Sequence, residues 1–275
     1  LFVTPDSPNG NSGWYVSSVS LKLVARDDAS GIDKTWYKLD TSSWKEYTSE
    51  VLVKKEGSHI FSYYSIDNGG NAEESHTFIF KIDFTPPWTD YTLVGTGQNN
   101  WFKGSVTVFF DSTDNRSDVK NLLYRINGGK YVPYTSSFDI DEEGIYFIEY
   151  FSVDEAGNPE KLRSFDVKID KTSPSLKIKK PDNYLYIDGR EIIPTSRPII
   201  IGGITIEVDC SDSPSGVQKV EFYIDNDYKG EDSSPPYTWE WNEVGWGFYE
   251  IKVITIDNAG NDKIEKTRVF ILNFQ

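Results

Sequence analysis

Apolar and polar residues alternate along most of this chain, in short runs bounded by Gly, Pro, Asn, Asp and Ser, the pattern of half-buried β-strands. Val19, Leu21, Leu23 and Ala25 share one parity, as do Val106, Val108 and Phe110, and again Ile204, Ile206 and Val208. Each run enters an acidic loop: Asp27-Asp28-Ala29-Ser30-Gly31, Asp114-Asn115-Arg116-Ser117-Asp118 and Asp212-Ser213-Pro214-Ser215-Gly216. Each loop leaves through a second alternating run, at Tyr37/Leu39, Leu122/Tyr124/Ile126 and Val220/Phe222/Ile224. Because successive strand side chains point to opposite faces, every such run buries one face. No stretch carries a convincing helical period.

Later in each set a glycine opens another strand, at Gly57, Gly144 and Gly247. That strand ends in a turn written three times: Asp67-Asn68-Gly69-Gly70-Asn71, Asp154-Glu155-Ala156-Gly157-Asn158 and Asp257-Asn258-Ala259-Gly260-Asn261. The three aspartates stand 87 and 103 residues apart. A repeat that long is a whole domain rather than a solenoid turn. The expected division is 1–85, 86–172 and 173–275. Asp83-Phe84-Thr85-Pro86-Pro87 and Asp170-Lys171-Thr172-Ser173-Pro174 form the linkers, short and stiffened because proline fixes φ and extends the residue before it. The third set is longer, mainly within 181–203. There Tyr184-Leu185-Tyr186-Ile187 and Glu191-Ile192-Ile193 flank Asp188-Gly189, which predicts an added β-hairpin.

The Asp-Xaa-Ala-Gly-Asn turn, the acidic Ser-Gly loop and the Asp-Xaa-Thr-Pro-Pro linker together resemble the immunoglobulin-like repeats of secreted and cell-surface prokaryotic proteins. Val220-Glu221-Phe222-Tyr223-Ile224-Asp225 and Pro235-Pro236-Tyr237-Thr238-Trp239-Glu240-Trp241 look like core strands of such modules. The resemblance covers essentially the whole chain. It implies an all-β protein of three tandem immunoglobulin-like β-sandwich domains, the third with an extra hairpin. It says nothing specific about activity, because such repeats accompany proteases, glycosidases and adhesins alike. Gly-Xaa-Tyr at Tyr146 and Tyr249 resembles a tyrosine corner, with His59 standing in the first set. Phe61, Ile148 and Ile251 take the late-strand position where antibody domains carry a cysteine.

Composition narrows the function. The chain has 43 acidic and 28 basic residues, a net charge of −15. That sign disfavours nucleic-acid phosphates and anionic membrane surfaces. A single cysteine forbids an intrachain disulfide. No run approaches the ~18 consecutive apolar residues of a membrane span. With Leu1 first and no methionine anywhere, the simplest expectation is a piece of a longer polypeptide.

Catalytic chemistry finds no foothold. The two histidines, His59 and His76, lie in strand-like context without a zinc motif, and there is no nucleophile elbow or phosphate loop. Cys210 shares the face of Ile204, Ile206 and Val208 and reads as a core thiol. Nothing singles out an acid pair for glycoside hydrolysis.

Calcium is the sharpest site hypothesis. In an immunoglobulin-like sandwich the acidic loop, the late turn and the incoming linker meet at one end. Asp28 would approach Asp67; Asp114 and Asp154 would meet near Asp83; Asp212 and Asp257 would meet near Asp170. Carboxylates and carbonyls are the oxygen set Ca²⁺ takes, although the spacing is not that of an EF-hand. The plainer reading is that Asp and Asn hydrogen-bond their own turn while Gly supplies the left-handed conformation, with no metal.

Eight tryptophans offer a second hypothesis. An exposed planar row could stack on sugar rings, and alternation leaves Trp36 and Trp241 outward in at least one register. The alternative is that the rings cover sandwich edges and junctions. Asn115-Arg116-Ser117 is a glycosylation sequon that supports a surface loop. The expected function is therefore non-enzymatic: a spacer, stalk or adhesion segment of an exported protein. Its partners would be other domains of the same polypeptide. The rival is an accessory module of a secreted hydrolase that binds carbohydrate or protein.

Overall fold

Strands with one apolar face and no helix to cover it reach a core by laying one sheet on another. The computed structural model describes residues 1–274, and all their regular elements are β-strands and bridges. No helix of the described residues is long and apolar enough to cross a membrane. Two compact units are distinguished. One comprises Leu1–Thr92, Phe109–Ser137 and Ile148–Phe165; the other comprises Leu93–Val108, Phe138–Phe147 and Asp166–Gln275.

In the first unit, Val19–Lys22 lies between Phe2–Thr4 and Val51–Val53 in a three-stranded antiparallel sheet. A second antiparallel sheet has the order Lys45–Glu46, Ile32–Leu39, Gly57–Asp67, His76–Ile82. Val19, Leu21, Leu23 and Val53 from one sheet close on Phe61, Phe80 and Ile82 from the other, with Tyr15 between. The run expected to reach Ala25 stops at Lys22, because both its partner strands are three residues long. The Leu23 N–H then donates to the Tyr47 hydroxyl instead (3.1 Å). The same unit packs Phe110 against Tyr150 (4.8 Å between centroids) and stacks Tyr91 on Phe165 (3.8 Å).

In the second unit, Ile204–Ser211 lies between Ser175–Lys180 and Tyr237–Trp241. Facing it is a seven-stranded sheet built on the long hairpin Gly245–Asp257 and Asp262–Asn273. Ile204, Ile206 and Val208 pack on Val220, Phe222, Ile251, Val253, Val269 and Ile271. The added hairpin forms as expected: Tyr184–Ile187 pairs with Arg190–Pro194, and both turn residues, Asp188 (φ 45°) and Gly189 (φ 75°), are left-handed. Tyr186 seats it in the core.

The architecture is all-β and immunoglobulin-like, and two details recur along it. Early segments run parallel beside late strands at Tyr15–Ile82, Phe102–Ile169 and Ile199–Phe270. A register shift also recurs where the strand after each acidic loop meets the recurrent aspartate: Ile32–Asp67, Val119–Asp154 and Val217–Asp257. Such a bulge inserts one residue and re-aims its neighbours, and here it sits where the acidic turn begins.

Candidate functional site

Each recurrent turn is closed by its own aspartate. Asp154 Oδ1 accepts from the Gly157 and Asn158 N–H groups (2.6 and 2.8 Å), while Oδ2 accepts from Asn158 Nδ2 (2.8 Å). Asp257 repeats this with Ala259, Gly260 and Asn261 (2.8, 2.7 and 2.8 Å) and with Asn261 Nδ2 (2.8 Å). Asp67 accepts from Asn71 N and Nδ2 (2.8 and 2.9 Å). Glycine at the fourth position supplies the left-handed backbone, φ 83°, 100° and 91°. This is the turn chemistry that the residue types dictate.

The turns then diverge. Asn158 Nδ2 also donates to the Asp83 carbonyl (3.0 Å), and Asn261 Nδ2 to the Asp170 carbonyl (2.9 Å). Each asparagine thus ties its turn to a linker aspartate. Asn71 makes no such second bond among the described residues. Asp83, Asp154, Asp170 and Asp257 are all fully buried, whereas Asp67 is half-buried and Asn68 to Asn71 are exposed.

Two acidic groups result. Asp83, Asp114 and Asp154 bring one carboxylate oxygen each within 4.8 Å of one another; so do Asp170, Asp212 and Asp257. Asp28 and Asp67 join no such group among the described residues. In that loop Asp27, rather than Asp28, takes the caps, its Oδ2 accepting from Ala29, Ser30 and Gly31 N–H groups (3.2, 2.7 and 2.7 Å). Asp27 stands 87 residues before Asp114, so the same period identifies it.

The electrostatics follow the packing. Burial pushes the Asp83 carboxyl above its usual range, and the Asp114 and Asp154 charges add to this against the Thr85 N–H. Asp212 is raised by burial first, then by Asp170 and Asp257. Asp67 moves the other way, held low by the Asn71 side chain and backbone. Asp27 is held low chiefly by the Gly31 N–H.

The two groups differ in how their oxygens are satisfied. Asp170 Oδ1 accepts from Thr172 N (3.1 Å) and Oδ2 from Ser215 N (2.9 Å). Asp83 Oδ1 accepts from Thr85 N (3.2 Å), but its Oδ2 is buried with no hydrogen-bond partner, and so is Asp114 Oδ1. Asp114 Oδ2 is occupied by the Arg116 and Ser117 N–H groups (2.8 and 2.9 Å).

A second feature of these ends was not singled out from the sequence. Asn11 N–H donates to Ala156 O (2.7 Å), and Ser12 Oγ to Glu155 Oε2 (3.1 Å). A side chain on Gly10 would meet Ala156 O at 2.6 Å, so only glycine permits the approach. Gln98 Nε2 likewise donates to Gln218 Oε1 (3.0 Å) and Asp257 O (3.4 Å). Gly10 and Gly97, and Trp14 and Trp101, are 87 residues apart, the signal that could have exposed this contact.

The remaining sequence candidates are structural. Tyr146 hydroxyl donates to Glu142 O (3.0 Å), and His59 Nε2 reaches Lys55 O (2.6 Å), so the imidazole makes the same four-residue backward bond. Cys210 is half-buried against the core, and burial pushes its thiol up, away from the nucleophilic thiolate. Trp241, expected outward in one register, is instead a core residue 2% exposed, and Trp36 is half-buried. Trp246 (74%) and Trp88 (57%) are the most exposed tryptophans, and the Arg163 guanidinium lies 4.0 Å over the Trp88 ring.

Residues 192–261 match the family model described as a bacterial Ig domain. No curated protein matches the chain. Among solved structures, the fibronectin(III)-like modules of Clostridium thermocellum CbhA are similar at 17% identity, over 67% of this chain and 95% of that one, with a TM-score of 0.39. Three N-terminal domains of the bacteriophage RB49 outer capsid protein Hoc align at 10% identity over 94% and 95%, with a TM-score of 0.40. A structure from a 1.5-MDa bacterial ice-binding adhesin aligns at 11% over 94% and 92%, with a TM-score of 0.31.

Proposed function

We propose that this chain is a non-enzymatic spacer or adhesion segment of a larger exported or cell-surface polypeptide, divided into domains at 1–85, 86–172 and 173–275. The observation that carries the reading is the paired lock at the linkers. Asp83 and Asp170 are buried, and the asparagine of the following turn holds each backbone carbonyl. Thr85 and Thr172 are bound by Glu56 and Glu143 (2.7 and 2.8 Å), so both linkers are fixed through side chain and backbone. Such restraint suits a part whose task is to hold its neighbours at a set distance; a flexible tether needs none of it.

Single-molecule stretching tests the reading. Three unfolding events are expected, each releasing roughly 30 nm of chain at about 3.6 Å per residue. Limited proteolysis of the native protein should leave 83–87 and 170–174 uncut. Early cleavage at those segments would point to a tether instead.

An accessory binding module is the second reading, favoured by exposed Trp246 and Phe248, two residues apart on one strand. A glycan array separates the two. The spacer reading expects no saturable signal; reproducible binding lost in Trp246→Ala would replace it.

A further inference from the structure

We infer that Asp83, Asp114 and Asp154 form a binding site for one divalent cation, Ca²⁺, and that the otherwise similar group Asp170, Asp212 and Asp257 does not need one. In both places three carboxylates bring one oxygen each within 4.8 Å of one another. What distinguishes the first is unmet bonding capacity. Asp83 is 0% exposed, its Oδ2 has no donor, and Asp114 Oδ1 is equally orphaned. A buried acceptor with no partner destabilises the fold, and more so when it is charged. In the second group the Ser215 N–H closes the corresponding gap on Asp170.

The donor set is all hard oxygen, which suits Ca²⁺ or Mg²⁺ and not a thiolate- or imidazole-seeking metal. Three oxygens within 4.8 Å of one another can close on a single ion; Ca²⁺ accepts irregular oxygen sets at about 2.3–2.6 Å, whereas Mg²⁺ demands about 2.0–2.1 Å and a stricter octahedron. The Asp83 backbone, the turn asparagine and the acidic loop all converge here. A bound ion would therefore cross-link three sequence-distant segments. This site does not depend on the spacer reading: unfolding steps and proteolysis measured in chelator judge that reading alone.

Calorimetric titration of the intact chain with CaCl₂ is expected to give one site per chain. The melting transition should rise by roughly 5 °C or more at Ca²⁺ 100-fold above Kd, and fall back with chelator. Asp83→Asn keeps the side-chain shape and removes one charge. It should melt in chelator no lower than the native protein and lose the Ca²⁺ response at least tenfold in affinity. Asp212→Asn should keep that response. Asp114→Asn also disturbs its loop caps, so Asp83→Asn is the deciding variant. No heat and no melting shift would overturn the site. So would a response that survives in Asp83→Asn, disappears in Asp212→Asn, or is matched by Na⁺ at equal ionic strength.

Discussion

The turns 67–71 and 154–158 share their first, fourth and fifth residues and live in different surroundings. Both end a long strand after a register shift, both are closed by an aspartate accepting from its own asparagine, and both turn through glycine. The first faces solvent. The second has Asn11 on Ala156, the linker Asp83 on Asn158, and Asp114 beside it. Ala156 is fully buried where the first turn has exposed Gly69. A local motif thus fixes the path of its own backbone, while what it contributes to stability depends on what is laid against it.

The largest test is removal of the closing carboxylate. Asp154→Ala removes the side-chain acceptor of the Gly157 and Asn158 N–H groups and of one Asn158 amide hydrogen in a buried site, and should cost about 3 kcal/mol in urea unfolding. Asp67→Ala, whose donors turn to water, should cost clearly less. Equal losses would mean that burial is not what separates the two turns.

Next comes the linker bond. Asn158→Ala removes the contact to Asp83 O as well as the turn bond, and should cost about 1–2 kcal/mol. Asn71→Ala removes only the turn bond and should cost less, and only the first should speed proteolysis near residues 83–87.

Acidification in chelator sharpens the contrast through its sign. Asp67 is depressed below the ordinary 3.8, so its contribution is complete above that value and is lost as pH falls through its lowered pKa. Asp83 is raised, so ionisation opposes folding at neutral pH, and that opposition disappears as pH falls from its raised value towards 3.8. Urea midpoints should therefore show Asp83→Asn removing a gain between neutrality and about pH 4. Asp67→Asn should remove a loss below it.

The smallest effect is expected from Gly69→Ala. An added Cβ would meet Asp67 Oδ1 and Asn71 Nδ2 at 3.2 Å, both side-chain ends that need yield only a few tenths of an ångström. The reduced freedom of the unfolded chain should offset that crowding, leaving a change within about 0.5 kcal/mol. Ala156→Gly, which empties a buried site, should destabilise by about 1 kcal/mol.

Much of this was legible because it is local. Strict alternation identified Val19 and Leu21, and Ile206 and Val208, as buried faces, and both pairs lie in cores; in the last strand it favoured Phe270 and Leu272, whereas the core face is Val269 and Ile271. Asp188-Gly189 gave its hairpin through turn chemistry alone. The meeting of Asp83 with Asp114 and Asp154, and of Asp170 with Asp212 and Asp257, was expected from the sandwich topology and is found in both places. Asp28 was preferred over Asp27 because adjacent acids in one loop look alike; the 87-residue spacing to Asp114 and the caps from Ser30 and Gly31 tell them apart. Trp241 was left open between outward and covered because a one-residue change of register inverts a strand's faces; its pairing with Ile204 sets the register, and the ring is buried.

By itself, then, the sequence determined strands, turns, the 87-residue period and the ends at which acids gather, because these follow from side-chain parity and backbone preferences within a few residues. Tertiary structure alone decided which carboxylate oxygens find a donor. Ser215 N–H reaches Asp170, while nothing reaches Asp83 Oδ2. That outcome depends on sub-ångström placement of loops more than 30 residues apart in sequence, and directional hydrogen bonds make it all or nothing.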